Sequence, residues 1–205
     1  APIGERPFLA FLLDYLAYYK IERVVLSVGY KWEVIEECFG SEYKGMKLFY
    51  AVEEEPLGTG GGIANALQHL NNEDFLLLNG DTFFNVDLLK LQETFYHSNA
   101  DLCLTLKAMK QFDRYGRVEL DGNIITAFHE KEYCEEGFIN GGVYVLKQKL
   151  FKQNHLGKKF SFEMDIMEKG LEKWNMKANI SESYFIDIGI PEDYERAQTE
   201  LSSFL

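Results

Sequence analysis

The chain has 205 residues, of which 21 are Lys or Arg and 33 are Asp or Glu, so its formal net charge is −12. Such an acidic surface repels the phosphates of nucleic acids and of anionic lipids, which argues against nucleic-acid and membrane-surface partners. Hydrophobic residues make up 46% of the chain and aromatic residues 15%, a composition that excludes a disordered protein and can fill one core.

The lengths of the apolar runs and the number of cysteines indicate in which cellular compartment the protein is expected. The longest apolar run, 8–19, is shorter than the roughly 18 residues of a membrane span and contains Asp14. Cys38, Cys103 and Cys134 are odd in number and lack CxxC spacing. Because no secretory leader is visible either, we expect reduced thiols and a cytoplasmic location.

The first half of the chain alternates between helix-like and strand-like patterns. Pro7 suits the start of a helix, and Asp87 suits an N-cap. In chain order, the patterns predict a helix over 8–20, a buried strand over 23–28, a helix over 32–39, a strand over 47–52, a helix over 63–70, a buried strand over 75–78 and a helix from Asp87 to about 97. This alternation is typical of a mainly parallel α/β sheet.

The second half is richer in strands. Asp121-Gly122-Asn123 separates two strand-like runs, 117–120 and 124–128, and predicts a hairpin. Further strands are predicted over 102–108, 142–146 and 184–188, with a helix capped by Ser161 that reaches 174 and a last helix from Pro191. No repeat or linker interrupts the chain, so the sequence predicts a single domain over 1–205.

A glycine-rich segment, Pro56-Leu57-Gly58-Thr59-Gly60-Gly61-Gly62, lies between a predicted strand and a predicted helix. Glycine lets a backbone come close to a ligand because it has no Cβ. The segment fits neither a P-loop, since no Gly-Lys-Ser/Thr follows, nor the dinucleotide fingerprint G-x-G-x-x-G. The alternatives left open are a ligand-binding segment and a flexible surface turn.

Two aspartates follow or end apolar strands. Asp81 comes after the strand over 75–78, and Asp187 lies in Phe-Ile-Asp-Ile-Gly. Carboxylates at strand ends of an α/β sheet suit Mg²⁺, which takes one or two protein carboxylates and phosphate oxygens. The alternatives are a turn at Asp81, and a helix cap or lysine pair at Asp187.

Polar residues of the second half suit a phosphate and a polyol. Lys131 offers a compact positive charge beside Glu130, and Asn140-Gly141-Gly142 offers an amide and bare backbone. The alternatives are an exposed Glu-Lys ion pair and a β-bulge.

Taken in this order, the motifs resemble those of the sugar-1-phosphate nucleotidylyltransferases. The matching stretches are 53–61, 78–81, 115–116, 128–131, 140–144, 161–163 and 186–194, which span nearly the whole chain. Within the family, Pro-Leu-Gly-Thr, Ser-Phe-Glu-Met-Asp and Asp-Ile-Gly-Ile-Pro-Glu-Asp-Tyr are most similar to the D-glycero-D-manno-heptose 1-phosphate guanylyltransferases. Mannose-1-phosphate guanylyltransferases are close behind.

The resemblance implies a Rossmann-like α/β/α three-layer nucleotidyltransferase fold with a mixed, mainly parallel central sheet. It implies that a nucleoside triphosphate, with GTP favoured, and a sugar 1-phosphate react to a nucleotide sugar and pyrophosphate with Mg²⁺, in capsule or lipopolysaccharide biosynthesis. Within this class, another hexose 1-phosphate or another base is the alternative. From another class, the alternative is a non-catalytic subunit that binds nucleotide sugar and regulates a partner.

The same resemblance assigns roles to residues. It gives the metal to Asp81 and Asp187, which together with Lys131 carry the catalysis. It gives the nucleotide to Leu57, Gly58, Thr59 and Asn79. It gives the sugar phosphate to Gly116, Glu130, Lys131, Asn140, Gly141 and Glu163.

Glu53 is predicted to select guanine. It lies five residues before Gly58 on the segment that the resemblance assigns to the base. A carboxylate only accepts hydrogen bonds, and guanine presents two adjacent donors, N1–H and the 2-amino group. Uracil and thymine present an acceptor beside their single ring donor, which a carboxylate repels.

The resemblance also leaves a gap and an open question. The family opens with a strand and a Gly-Gly-x-Gly-Thr-Arg-Leu loop that binds the triphosphate, and Ala1-Pro2-Ile3-Gly4 corresponds to the residues directly after that loop. Neither is present in these 205 residues. Either the protein carries this strand and loop ahead of Ala1, which we expect because the loss of a central strand would expose core surface, or it lacks them. Tyr15, Tyr18 and Tyr19 fit either the core or a homodimer interface.

Overall fold

The computed structural model describes residues 1–152 and 156–201, which form two compact units. The first unit comprises Ala1–Leu12, Phe75–Leu146 and the described residues from Lys173 onward; the second comprises Leu13–Asp74 and the described part of Lys147–Glu172. Each unit combines distant stretches of chain, so this division matches no boundary in the sequence. The single domain over 1–205 stays a prediction.

In chain order, the chain forms five α-helices and thirteen strands within the described residues. They are β1 (Pro2–Ile3), β2 (Arg6–Pro7), α1 (Phe8–Tyr18), β3 (Arg23–Val28), α2 (Trp32–Phe39), β4 (Glu42–Tyr43), β5 (Met46–Val52), α3 (Gly58–Ala66), β6 (Asp74–Leu78), β7 (Thr82–Phe84), α4 (Leu88–His97), β8 (Leu102–Phe112), β9 (Gly116–Asp121), β10 (Ile124–Lys131), β11 (Cys134–Lys147), β12 (Met176–Ser181), β13 (Phe185–Asp187) and α5 (Pro191–Glu200). Short 3₁₀ helices cover Leu67–His69, Gln148–Phe151 and Glu168–Gly170, and a π-helix covers Phe162–Met167.

The first unit is built on a six-stranded sheet in the order β6-β11-β8-β12-β10-β9. Strands β8 and β12 are parallel, whereas β11 is antiparallel to β8 and to β9, and β10 is antiparallel to β9 and β12. The sheet is mixed, as predicted, but its hairpins give it more antiparallel pairing than a mainly parallel sheet would have. A separate antiparallel pair joins β13 to β7, with Asp187 opposite Thr82.

Helix α4 covers part of this sheet, and its buried face explains the helical pattern of apolar residues in the sequence. Leu88, Leu91 and Phe95 recur at helical spacing and are buried, and α4 contacts β8 and β12. Asp87 caps the helix, because its carboxylate accepts hydrogen bonds from the backbone N–H groups of Leu89 and Lys90. The predicted helix and its cap are therefore confirmed.

The second unit contains a three-stranded sheet in the order β3-β5-β4. Strands β3 and β5 are parallel with Val24 opposite Leu48, and the short β4 is antiparallel to β5. Met46 and Leu48 are buried on β5 while Lys47 between them is exposed, the period of two that a half-covered strand shows. Helix α3 packs against β3 and β5.

Strands β3 and β6 differ from the prediction. Both read as fully buried in the sequence, but each lies at the edge of its sheet and most of their apolar side chains are half-buried. An edge strand lacks a neighbour on one side, so its side chains lose part of their cover. The apolar pattern therefore predicted the strands correctly, but it wrongly predicted that both of their faces are buried.

The second half of the chain confirms some predictions and corrects others. The hairpin of β9 and β10 forms with Gly122 at φ +60°, and the last helix begins at Pro191. Some bounds were wrong, and one strand was missed. The strand predicted over 142–146 is the end of the longer β11, the helix after Ser161 ends at Gly170 rather than 174, and strand β12 was missed because Met-Lys-Ala-Asn-Ile-Ser lacks a clear alternation.

The tyrosines near the C-terminal end of α1 differ in their exposure to solvent. Tyr15 is 4% exposed and belongs to the core, whereas Tyr18 is 79% exposed. The homodimer stays a prediction. Among the described residues, no helix combines the length and the hydropathy that a membrane crossing requires.

Candidate functional site

In the first unit, Asp81 and Asp187 converge beside Gly189. Asp81 follows β6, Asp187 ends β13, and the backbone N–H of Ile188 donates to the carbonyl of Asp81 at 2.9 Å. A Cβ at Gly189 would lie 3.0 Å from Oδ1 of Asp187 and 3.6 Å from Oδ2 of Asp81. The two aspartates, 106 residues apart in the sequence, therefore border one small space.

The electrostatics of this pair favour a cation. Burial raises the pKa of Asp187; the hydrogen bond from the backbone N–H of Gly189 opposes this shift, and the charge of Asp81 adds to it. A divalent cation would relieve the repulsion between the two carboxylates, and carboxylate oxygens are the ligands that Mg²⁺ prefers. Within 1–152 and 156–201, no third His, Cys, Asp or Glu joins them, so water or substrate oxygens would complete the coordination.

Burial, and to a lesser degree the negative charge of Asp187, raises the pKa of the Tyr115 phenol. Tyr115 packs edge-on against Phe185, the first residue of β13. The sequence singled out Tyr115 only as part of the Tyr-Gly pair, and nothing in that pair indicates that the ring packs against β13.

The Asn140-Gly141-Gly142 stretch forms an irregularity in β11 rather than the start of a strand. The register with β8 shifts between Asn140 and Tyr144, Gly142 has φ +72°, and Oδ1 of Asn140 accepts from the backbone N–H of Gly142 at 2.9 Å. The β-bulge alternative therefore holds for the backbone. The side-chain amide group of Asn140 carries two donors, which suit a hydroxyl or phosphate oxygen.

Gly142 also carries the contact with Asn79. The backbone N–H of Asn79 donates to the carbonyl of Gly142 at 2.8 Å, and a Cβ at Gly142 would lie 2.8 Å from Nδ2 of Asn79. Glycine is therefore required here by its positive φ and by the side chain above it. The structure brings Asn79 together with the bulge that holds Asn140.

Gly116 and Lys131 are direct partners across the β9–β10 hairpin. A Cβ at Gly116 would collide with the carbonyl oxygen of His129, which accounts for the glycine without a ligand. Glu130 and Lys131 are both exposed at the end of β10, and no ion pair of either is seen in the described part of the chain. The ion-pair alternative for Glu130 and Lys131 is thus not what the structure holds.

In the second unit, Glu53 is braced by its own neighbourhood. Its Oε1 accepts from the Ser27 hydroxyl and its Oε2 from the backbone N–H of Leu57, both at 3.0 Å. A Cβ at Gly62 would lie 2.6 Å from Oε1 of Glu53. Glu53 therefore fixes the turn that leads into α3, a structural role that the sequence did not predict. Ser27 gave no signal of its own, since it is one polar residue inside a strand.

The glycine-rich segment is neither a loop nor a flexible turn, because Gly58–Ala66 is helix α3. The close approach that its glycines permit is made by the chain itself. The backbone N–H groups of Gly60 and Gly61 donate to the carbonyl oxygen of Phe160 at 3.0 and 3.3 Å. A Cβ at Gly60 would collide with the Phe160 ring, and one at Gly61 with the carbonyl oxygen of Lys158.

Only the first residues of α3 are left exposed. Gly58 has φ +74°, and a Cβ there would lie 2.6 Å from the carbonyl oxygen of Phe160. Gly58 and Thr59 are exposed, whereas Gly60, Gly61 and Gly62 are buried. A ligand can therefore reach the start of the segment, and the buried glycines serve packing.

Thr59 and Glu163 are joined by a hydrogen bond between segments 104 residues apart. The Thr59 hydroxyl donates to Oε2 of Glu163 at 2.6 Å, and the Ser161 hydroxyl donates to the same oxygen at 2.9 Å. Ser161 also caps the π-helix, as predicted, by accepting from the backbone N–H of Met164.

Known proteins resemble this chain along its whole length. Residues 1–203 match the family model described as Nucleotidyl transferase. The chain is 47% identical to D-glycero-alpha-D-manno-heptose 1-phosphate guanylyltransferase of Aneurinibacillus thermoaerophilus, covering 100% of this chain and 89% of the relative. It is 46% identical to the protein of the same name from Campylobacter jejuni, covering 95% of this chain and 86% of the relative.

A solved structure is also similar to this chain. HddC from Yersinia pseudotuberculosis, complexed with GMP-PN, matches with a TM-score of 0.87 at 34% identity, over 98% of this chain and 88% of that one.

Proposed function

The chain belongs to the nucleotidyl transferase family, and from this premise we propose that it transfers GMP from GTP to D-glycero-D-manno-heptose 1-phosphate, giving a GDP-sugar and pyrophosphate. Its fold is the predicted Rossmann-like α/β fold with mixed sheets. The observation that carries the proposal is the convergence of Asp81 and Asp187 in a chain 47% identical to a protein of that name.

The proposed chemistry is an in-line displacement at phosphorus. A phosphate oxygen of the sugar 1-phosphate forms a bond to the α-phosphorus, the bond from that phosphorus to the bridging oxygen breaks, and pyrophosphate leaves. The attacking oxygen is already ionised, so no general base is required. Catalysis then depends on placing the two phosphates and on neutralising their charge.

The two aspartates would supply the first part of that neutralisation by holding Mg²⁺. When bound, this ion screens the charge of the phosphate oxygens. Asp81 and Asp187 would hold it, and the carboxylate of Asp187 is itself fixed by the backbone N–H of Gly189, which donates to it at 2.9 Å. Lys131, exposed and close to Gly116, would bind the phosphate of the sugar.

The remaining roles are part of the same proposal. The nucleotide would contact Glu53, Leu57, Gly58, Asn79 and the backbone of Thr59. The sugar phosphate would contact Gly116, Glu130, Lys131, Asn140, Gly141 and Glu163. What supports these roles is exposure at Gly58, Thr59, Glu130 and Lys131, and the donors that Asn140 keeps beyond its bond to Gly142. For Gly141 the support is weaker, because the Phe84 ring and the Thr105 carbonyl fill the space beside it.

The test is divalent-metal-dependent pyrophosphate release. GTP, ATP, UTP and dTTP are each combined with heptose and hexose 1-phosphates, with and without Mg²⁺. Asp81→Ala and Asp187→Ala are compared with Asp121→Ala, which removes an exposed carboxylate from the β9–β10 hairpin. We expect release with GTP and the heptose phosphate, a loss of at least 100-fold in the two site variants, and wild-type rates in Asp121→Ala.

Two outcomes overturn the proposal in different ways. Release with another base or sugar replaces the substrates and keeps the reaction class. Silence across the panel, with GTP or nucleotide sugar still bound, supports the non-catalytic regulatory subunit instead. The cytoplasmic location and the homodimer are proposed with the function.

A further inference from the structure

The side chain of Thr59 has no donor left for a ligand. A threonine hydroxyl has one O–H donor, and that of Thr59 is committed to Oε2 of Glu163 at 2.6 Å. Its oxygen also accepts from the backbone N–H of Phe162 at 2.9 Å. Thr59 is exposed, yet its polar atom is turned to the chain itself.

The two carboxylate oxygens of Glu163 differ in their hydrogen bonds. Its Oε2 accepts two hydroxyl hydrogen bonds, from Thr59 and from Ser161, while no hydrogen bond of Oε1 is seen within the described ranges. Hydrogen bonds to an ionised acceptor are about twice as strong as neutral ones. Oε2 of this carboxylate thus binds side chains of the protein, and Oε1 stays open to a sugar hydroxyl.

The contact lies at the start of α3, where backbone hydrogen bonds also join the two segments. The N–H of Phe160 donates to the carbonyl of Leu57 at 3.0 Å, and the carbonyl of Phe160 accepts from Gly60 and Gly61. Thr59 is the side-chain link of this segment to 160–163. Without its hydroxyl bond, Leu57 and Gly58 would keep only the hydrogen bond from Leu57 to Glu53 and the backbone contacts with Phe160.

We propose that Thr59 is a positioning residue: through Glu163, its hydroxyl fixes the backbone of 57–59 for the nucleobase and does not itself bind the nucleotide. This inference rests on the proposed function in one respect only, namely that the ligand is GTP. The Thr59 side chain then affects nucleotide binding indirectly and makes no direct contact with the nucleotide. The inference also predicts that substitutions at Thr59 and Glu163 have effects on GTP affinity that are not additive.

The first experiment needs no ligand. Hydrogen–deuterium exchange of the amides in 57–61 is compared in the wild type, Thr59→Val and Thr59→Ser. Valine keeps the shape and removes the hydroxyl, and serine keeps the hydroxyl. Thr94→Val is the matched control, since it removes an exposed hydroxyl bonded to the carbonyl of Lys90 in α4. We expect about tenfold faster exchange in Thr59→Val alone, with serine restoring protection.

The second experiment measures affinity for GTP with Mg²⁺ and without sugar phosphate, by calorimetry. We expect Thr59→Val and Glu163→Ala each to weaken binding about five- to tenfold, and the double variant to bind no more weakly than the single variants. Losses that multiply in the double variant would mean that Thr59 contacts GTP directly, and would overturn the inference.

The two experiments separate the inference from the proposed function. Unchanged exchange in Thr59→Val overturns the inference whatever the ligand. Failure of the wild type to bind GTP overturns the proposed function, and the exchange of 57–61 then decides the positioning role alone.

Discussion

The carbonyl oxygen of Lys158 lies against the Cα of Gly61 and occupies the space that a side chain would need. Gly61 is buried within α3, where glycine is about 1 kcal/mol less favourable than alanine. The sequence thus accepts a poor helix former in order to let a second segment pack on this helix.

Gly61→Ala should therefore destabilise the protein, although alanine is the better helix former. A Cβ at this position meets backbone, which cannot move aside as a flexible side chain can, so we expect a loss of about 1–3 kcal/mol in the free energy of unfolding. Urea unfolding measures it. Gly157→Ala is the control, because nothing lies within 4 Å of a Cβ there and its φ is not positive. Equal stability of Gly61→Ala and wild type would refute the packing role of Gly61.

Glu53→Gln should reduce the preference for GTP over UTP. Each oxygen of Glu53 accepts one protein hydrogen bond, from Ser27 or from Leu57, and a carboxylate has about four acceptor sites. The amide of glutamine would replace one acceptor by a donor that faces the donors of guanine. We expect the ratio of kcat/KM for GTP to that for UTP to fall by about tenfold or more.

Two further variants separate base selection from bracing. Ser27→Ala removes one brace of Glu53 and should weaken all nucleotides alike, leaving the GTP/UTP ratio unchanged. Glu54→Gln changes the adjacent exposed carboxylate and should alter neither. A GTP/UTP ratio that stays at the wild-type value in Glu53→Gln would leave Glu53 with its bracing role only.

Local signals predicted much of the fold. Helix Trp32–Phe39, strand Arg23–Val28 and the cap of Asp87 were placed correctly because periodicity and capping involve residues a few positions apart. The ordered motifs also indicated Asp81 and Asp187 as partners, which their convergence beside Gly189 supports. The helix, the strand and the cap could be predicted because each depends on residues a few positions apart, and the two aspartates because each lies in a short motif.

Contacts between distant segments could not be predicted. The glycines of α3 left a ligand-binding segment and a flexible turn as alternatives, since nothing near them in the sequence shows that Phe160 approaches, 100 residues after Gly60. The second partner of Glu53, Ser27, and the link from Thr59 to Glu163 were invisible for the same reason. A glycine reports that something comes close, but not whether it is a ligand or the chain.

The ion pair of Arg114 and Glu192 gives a pH-dependent prediction. Arg114 donates two hydrogen bonds to Glu192, at 2.6 and 3.0 Å, and joins the turn after β8 to the first turn of α5. The guanidinium, with a smaller contribution from a backbone hydrogen bond, lowers the pKa of Glu192 from 4.5 to about 2. A depressed carboxyl pKa contributes stability that is complete above the unfolded value and is lost as the pH falls through the folded value.

Glu192→Gln should thus be less stable than wild type at pH 7, and the difference should shrink as the pH falls from about 4.5 toward 2. Because both side chains are exposed, the difference is small and should also decrease at high salt. Thermal unfolding midpoints at pH 3 to 7 measure it. Glu195→Gln, an exposed glutamate of the same helix with no ion pair among the described residues, should match wild type throughout. A difference between wild type and Glu192→Gln that stays constant from pH 7 to pH 3 would show that its source is not the charge on Glu192.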